Sequence, residues 1–134
     1  MKGTPDSYSV LIVDDNKGTR QSISSYLGAR GITCLSAEDG EHALAAIEAH
    51  HPDVVLLDIM MPGLNGIEVA GRIAKLDPQP KVILMSGYAD AMSEATKAKL
   101  NVYRTIWKPV PLKQLGHFLE LAFTQDGGPL RAAG

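Results

Sequence analysis

Val54-Val55-Leu56-Leu57-Asp58-Ile59-Met60-Met61-Pro62 is the stretch on which the fold turns. Its four leading apolar residues, two of them β-branched, predict a strand buried on both faces, as in parallel sheets. The strand ends in a carboxylate. Pro62, Gly63, Asn65 and Gly66 follow as turn formers, so Asp58 is expected where strand gives way to loop. In open α/β sheets that edge is where ligands bind. A bare Asp at the end of an apolar strand costs free energy unless it is paired, hydrogen-bonded or metal-bound, so its partners must lie elsewhere in the chain.

Working outward, the same pattern recurs on both sides. Val10-Leu11-Ile12-Val13 predicts a first strand, stopped by Asp14-Asp15, and Ile23, Tyr26 and Leu27 then mark a helix face that ends by Gly31. Residues 32–37 predict a short second strand, and Ala43, Leu44 and Ile47 a helix running from Asp39 to His50-His51-Pro52. Beyond the central strand, Asn65 with Glu68 has the form of a capping box, and Val69, Ile73 and Leu76 continue an apolar stripe. Val82-Ile83-Leu84-Met85 predicts a fourth strand ending at Ser86-Gly87. Residues 91–99 predict a weak, Ala- and Lys-rich helix, a candidate moving part. Residues 102–107 predict a fifth strand running into Lys108-Pro109. Leu112, Leu115, Leu119 and Ala122 mark a final helix whose apolar face Phe118 and Leu121 widen. Strand and helix alternate five times, which implies an α/β fold: a doubly wound parallel sheet with helices on both faces, three layers in all, and right-handed crossovers.

At 134 residues the chain fits one domain, expected over 9–125. A loose tail is expected over 1–8 and a disordered tail or linker stub over 126–134. Met1 fits a native start. The formal net charge of −2 argues against a protein that grips nucleic acid directly. No apolar run is long enough to span a bilayer, no signal peptide is visible, and the single cysteine, Cys34, reads as a small core residue. A reducing, cytoplasmic setting without membrane contact is the expectation. His42, His50, His51 and His117 share no metal-ligand spacing and read as solvated helix positions.

In such a sheet the ends of strands one, three, four and five share an edge, which gathers Asp14, Asp15, Asp58, Ser86 and Lys108. The carboxylates repel one another unless a hard cation sits among them, and Mg²⁺, or Mn²⁺ in its place, takes such oxygen ligands. With cations on both sides, Asp58 is equipped to attack phosphorus while Ser86 donates a hydrogen bond to a phosphoryl oxygen. The product is an aspartyl phosphate.

These residues, in this order, resemble the receiver domain of two-component response regulators over nearly the whole chain. The matching motifs are Asp14-Asp15 after a first strand, Asp58 followed by Met61-Pro62-Gly63 and Gly66, then Ser86-Gly87 and Lys108-Pro109. The resemblance implies a flavodoxin-like sheet of order 2-1-3-4-5 with five helices. It implies Asp58 as phosphoacceptor, Asp15 as a direct metal ligand, Asp14 acting through a bound water, and Met60 lending its carbonyl oxygen. Ser86 stands at the hydroxyl position and Lys108 at the lysine of the pattern, with a cis bond before Pro109. The implied donor is a histidine kinase or histidine phosphotransfer protein. The output is an unidentified downstream protein or linked domain, with a homodimer open through the 91–99 helix, the fifth strand and the final helix.

The chain departs from the pattern in two places. Thr105 stands where many members carry Tyr or Phe, and Leu100-Asn101-Val102 replaces the small residues that commonly precede the fifth strand, with Tyr103-Arg104 following. Two other classes compete with a signalling switch. A metal-dependent phosphohydrolase wants an Asp two residues after its nucleophile, where Met60 stands. A flavodoxin-like cofactor module wants a glycine-rich phosphate loop after strand one, where Asp14-Asp15 repels phosphate.

Overall fold

All five residues of Val54–Asp58 (β3) are buried, which requires cover on both faces. The computed structural model, which describes residues 8–61, 66–87 and 102–124, supplies that cover. β3 lies at the centre of a five-stranded parallel sheet with Ser9–Val13 (β1), Thr33–Ala37 (β2), Lys81–Ser86 (β4) and Arg104–Trp107 (β5), in the order β2-β1-β3-β4-β5. The expected order and strand direction are both found.

Alternation along the strands sorts the core into two layers. Leu11, Val13, Val55, Leu57, Val82 and Leu84 point to one side, where Ala43 and Ile47 of Gly40–His50 (α2) and Val69 and Ile73 of Gly66–Ile73 (α3) meet them. Val10, Ile12, Leu56, Ile83 and Ile106 point to the other, against Ile23 and Leu27 of Lys17–Gly28 (α1) and Leu115 and Leu119 of Leu112–Thr124 (α4). Four helices thus flank the sheet among the described residues. The expected 91–99 helix, the turn at Pro62, Gly63 and Asn65 and the two tails beyond Tyr8 and Thr124 lie outside those residues.

Local signals set the helix ends. Asn16 caps α1 by accepting the Thr19 N–H at 2.9 Å, and Asp39 caps α2 by accepting the His42 N–H at 2.8 Å. His51 ends α2 with a φ of 49°, and Pro52 prevents continuation. The Lys108–Pro109 bond is cis, as the resemblance implies, and so is Asp77–Pro78.

Three expectations need correction. α3 stops at Ile73, and Leu76, expected on its apolar stripe, lies in the following turn and is exposed. β5 begins at Arg104 rather than at residue 102, although Tyr103 just before it still donates its N–H to the Val82 carbonyl at 2.8 Å, with Lys81 Nζ 5.7 Å and the Arg104 guanidinium 5.0 Å from its ring centre. Tyr8, expected in the loose tail, stacks on Phe123 at 4.1 Å and donates its hydroxyl to the Phe123 carbonyl at 3.1 Å. Cys34 sits half-buried on β2, and that burial raises its thiol pKa.

Candidate functional site

β1, β3, β4 and β5 run in parallel, so their last residues reach the same edge of the sheet. The register pairs Val13 with Leu57 and Asp58 with Met85, which puts Asp14 and Asp58 side by side and Ser86 one step beyond. Asp14 is fully buried, Asp58 and Ser86 are buried, and Asp15 is exposed. One carboxylate oxygen from each of Asp14, Asp15 and Asp58 lies within 4.8 Å of the others.

Lys108 joins the two buried acids. Its Nζ donates to Asp14 Oδ2 at 2.6 Å and to Asp58 Oδ2 at 3.0 Å. Its backbone N–H donates to the Ser86 carbonyl at 2.8 Å, extending the β4–β5 pairing to the site. The second oxygen of Asp58 accepts the Met60 N–H at 3.1 Å. The Met60 side chain is exposed beside the acceptor, while Met61 turns inward to the core.

Burial is the strongest influence on Asp58 and lifts its pKa above the ordinary aspartate value. The Lys108 hydrogen bond pulls in the opposite direction, and the Asp14 charge adds to the rise. For Lys108, burial works against the charged form, but the hydrogen bonds to Asp14 and Asp58 outweigh it and leave its pKa raised. Asp58 is therefore a carboxylate held in an unfavourable field and Lys108 a firmly charged ammonium.

The residues fit a divalent cation. Three carboxylates meet one ammonium here, which leaves two formal negative charges unmatched. All three acids offer oxygen, the donor type that Mg²⁺ and Mn²⁺ prefer over nitrogen or sulfur.

Several residues that hold this edge escaped the sequence analysis. The Asn16 N–H donates to Asp14 Oδ1 at 2.9 Å, and the Arg20 guanidinium donates to the Asp14 carbonyl at 2.7 Å. The Asp14-x-Asn16 spacing was a readable signal for the first, since an Asx side chain takes the N–H two residues on. Gly66 does more than form a turn and complete the motif. A Cβ on it would lie 2.2 Å from the Asp58 carbonyl oxygen and 2.6 Å from Ile59 Cα, so the start of α3 can press against the end of β3 only as glycine. Ser86 lies at the edge as expected, and Thr105 is half-buried on β5 opposite Leu84.

Residues 10–120 match the response regulator receiver domain family. The chain belongs to that family. It is a receiver domain of two-component response regulators, a phosphorelay signal receiver. The chain is 36% identical over 113 residues to the autoinducer 1 sensor kinase/phosphatase LuxN of Vibrio campbellii, covering 84% of this chain and 13% of that protein. It is 38% identical over 117 residues to the positive alginate biosynthesis regulatory protein of Pseudomonas aeruginosa, covering 85% and 46%. This receiver domain thus spans less than half of either relative. The receiver domain of the Francisella response regulator 1452 superposes with a TM-score of 0.81 at 27% identity, covering 89% of this chain and 98% of that one. Receiver domains take their phosphoryl group from histidine kinases. Among the described residues no helix is long and apolar enough to cross a membrane.

Proposed function

We propose that this receiver domain accepts a phosphoryl group on Asp58 from a phosphohistidine donor, either a histidine kinase or a histidine phosphotransfer protein. Lys108 carries the proposal: one ammonium spans Asp14 and Asp58 at the ligand edge, and Asp58 is buried against a like charge. A structural ion pair has no need of a second and third carboxylate.

In the transfer, an Asp58 carboxylate oxygen attacks phosphorus, the new O–P bond forms, and the donor's N–P bond breaks with its electron pair leaving on the imidazole. The Met60 N–H holds the other Asp58 oxygen and so orients the carboxylate. Lys108 loses its bond to an ionised Asp58 and is placed to pair with a phosphoryl oxygen. The buried Ser86 hydroxyl is assigned to a second oxygen. Asp14, Asp15 and Asp58, with the Met60 carbonyl, are the groups that would hold Mg²⁺ or Mn²⁺, which offsets charge on the transferring group. Asn16 and Arg20 keep Asp14 in place.

The domain acts as a phosphoacceptor switch rather than a turnover enzyme, because Met60 stands where a phosphohydrolase needs an acid and its thioether carries no proton. Exposed Trp107, next to Lys108, and exposed Arg104 make β5 the surface on which a change at the site reaches a downstream protein or linked domain. A cytoplasmic setting suits donors of this kind. Acetyl phosphate with Mg²⁺ should add one phosphoryl group by intact mass spectrometry, and chelation of the metal or Asp58→Asn should prevent it. Undiminished labelling of the Asp58→Asn protein would sink the assignment.

A further inference from the structure

Between α1 and α4 runs a groove of about 680 Å³, a size at which small-molecule sites are common. It shares no residue with the phosphoacceptor site. Its walls are aromatic and come from three segments: Tyr26 of α1, Phe123 of α4, and Tyr8 ahead of β1, which stacks on Phe123 with ring centres 4.1 Å apart. Ile32 adds apolar surface.

The groove is polarised along its length. Lys113 and His117 are exposed on α4 one turn apart, so their side chains share a face. Gly116, just before His117, is buried beneath Tyr26 and Arg30: a Cβ built on it would lie 3.5 Å from Tyr26 Cε2 and 3.8 Å from Arg30 Nε. Arg30 therefore lies at the level of Lys113 and His117, its guanidinium stacked 4.3 Å from the Tyr26 ring centre. Three basic side chains thus gather at one end, although the whole chain carries a formal net charge of −2. Towards the other end Glu120 supplies an acid, one turn before Phe123. It lies about 10 Å from Lys113 along the helix axis, too far to pair with it. Among the described residues neither forms an ion pair.

A ligand that satisfies both ends needs an anion, a planar ring and hydrogen-bond donors, in that order. The spacing suits a nucleoside monophosphate, from its phosphate to the far edge of its base. A simple aryl carboxylate would leave most of the groove empty. The base is decided by Glu120, whose carboxylate only accepts. Guanine presents two adjacent N–H donors on its Watson–Crick edge, whereas adenine sets an acceptor beside its donor.

We propose that the α1–α4 groove binds a guanine mononucleotide, with its phosphate on Arg30, Lys113 and His117, its base against the Tyr8 and Tyr26 rings, and its N–H edge on Glu120. Arginine offers a fork to phosphate, and bases stack on aromatic side chains. The receiver domain thereby gains a diffusible input separate from its phosphoryl donor. Isothermal titration calorimetry of the full chain in metal-free buffer tests this, with GMP, AMP, guanosine and inorganic phosphate as probes. GMP should saturate a single site and AMP should bind about tenfold more weakly, because it lacks the second donor. Guanosine and phosphate should each bind more weakly than GMP. Lys113→Glu, at an exposed position, should weaken GMP by about tenfold or more while the circular dichroism stays that of the wild type. Glu120→Gln should turn the preference towards AMP, since an amide offers one acceptor and one donor. A wild type without saturable GMP binding would overturn the proposal. So would phosphate binding as tightly as GMP, which would mean an adventitious ion only, equal affinities for GMP and AMP, or a folded Lys113→Glu protein that binds GMP as the wild type does.

Discussion

β3 carries a carboxylate at each end, and the two have opposite fates. Asp53, just before the strand, accepts the Ser9 N–H at 2.8 Å and the Ser9 hydroxyl at 3.5 Å, stitching β1 to β3. Asp58, five residues on, faces another buried acid and shares a lysine with it. Residue type, strand and neighbouring sequence are nearly the same. What differs is the partner: a backbone N–H that the fold must satisfy anyway, or a like charge that the fold places there at a cost. A carboxylate held in strain against its neighbours is available for chemistry, whereas one absorbed by the backbone is not.

The largest effect should come from crowding the reactive end. Gly66→Ala forces a methyl group into the Asp58 carbonyl and should lower unfolding free energy by about 3 kcal/mol, measured by chemical denaturation. A variant as stable as wild type would mean that the α3 start is free to move away.

The two ends should then respond with opposite signs. Asp53→Ala leaves the Ser9 N–H without its acceptor and should cost about 2 kcal/mol while phosphorylation proceeds. Asp58→Asn should stabilise the metal-free protein. The sign follows from linkage: a carboxylate whose folded pKa is raised leaves the folded state holding more protons than the unfolded one, so stability falls as pH rises from about 3.9 through the folded value. A neutral amide removes that penalty. Loss of stability in both variants would erase the distinction.

This division was only partly legible in the sequence. Val10-Val13, Val54-Leu57 and Val82-Met85 are continuous apolar runs, and each is a strand because only a doubly covered sheet buries such runs whole. The strand order came from the resemblance, since periodicity says nothing about which strands adjoin. The start of β5 is not marked in the sequence, because Val102 and Tyr103 both favour strands and the Tyr103 N–H still reaches the Val82 carbonyl just before the strand begins. The five site residues were readable as strand-end polar groups. That Lys108 would bind Asp14 even more closely than Asp58 was not, because it depends on how far each strand end projects, as does the clearance that makes Gly66 obligatory.

A smaller effect concerns how long the modified end lasts. The exposed, apolar Met60 side chain stands beside Asp58 and offers no group to orient a water. Met60→Asn should speed loss of the phosphoryl group by about tenfold, equivalent to about 1.4 kcal/mol in the barrier. Equal decay rates after removal of donor would show that this side chain does not control water.

Smallest is the exposed pair at the α2 cap, a third type of carboxylate. The hydrogen bond to Asp39, followed by its charge, raises the His42 pKa. Any stability the pair confers is complete below the unfolded imidazole value of about 6.5 and is lost as pH rises through the folded one. An NMR titration should place His42 above a free imidazole, and Asp39→Asn, which keeps a capping side chain, should bring it down. An unchanged titration would mean that the contact does not persist in solution.

The claim that chemistry belongs to one end of β3 is tested most directly by locating the acyl phosphate itself. After reaction with acetyl phosphate and Mg²⁺, borohydride reduction converts a phosphorylated aspartate to homoserine, which tandem mass spectrometry assigns to a residue. The account predicts homoserine at position 58 with Asp14, Asp15 and Asp53 unchanged. Homoserine at any of those three, with Asp58 intact, would contradict it.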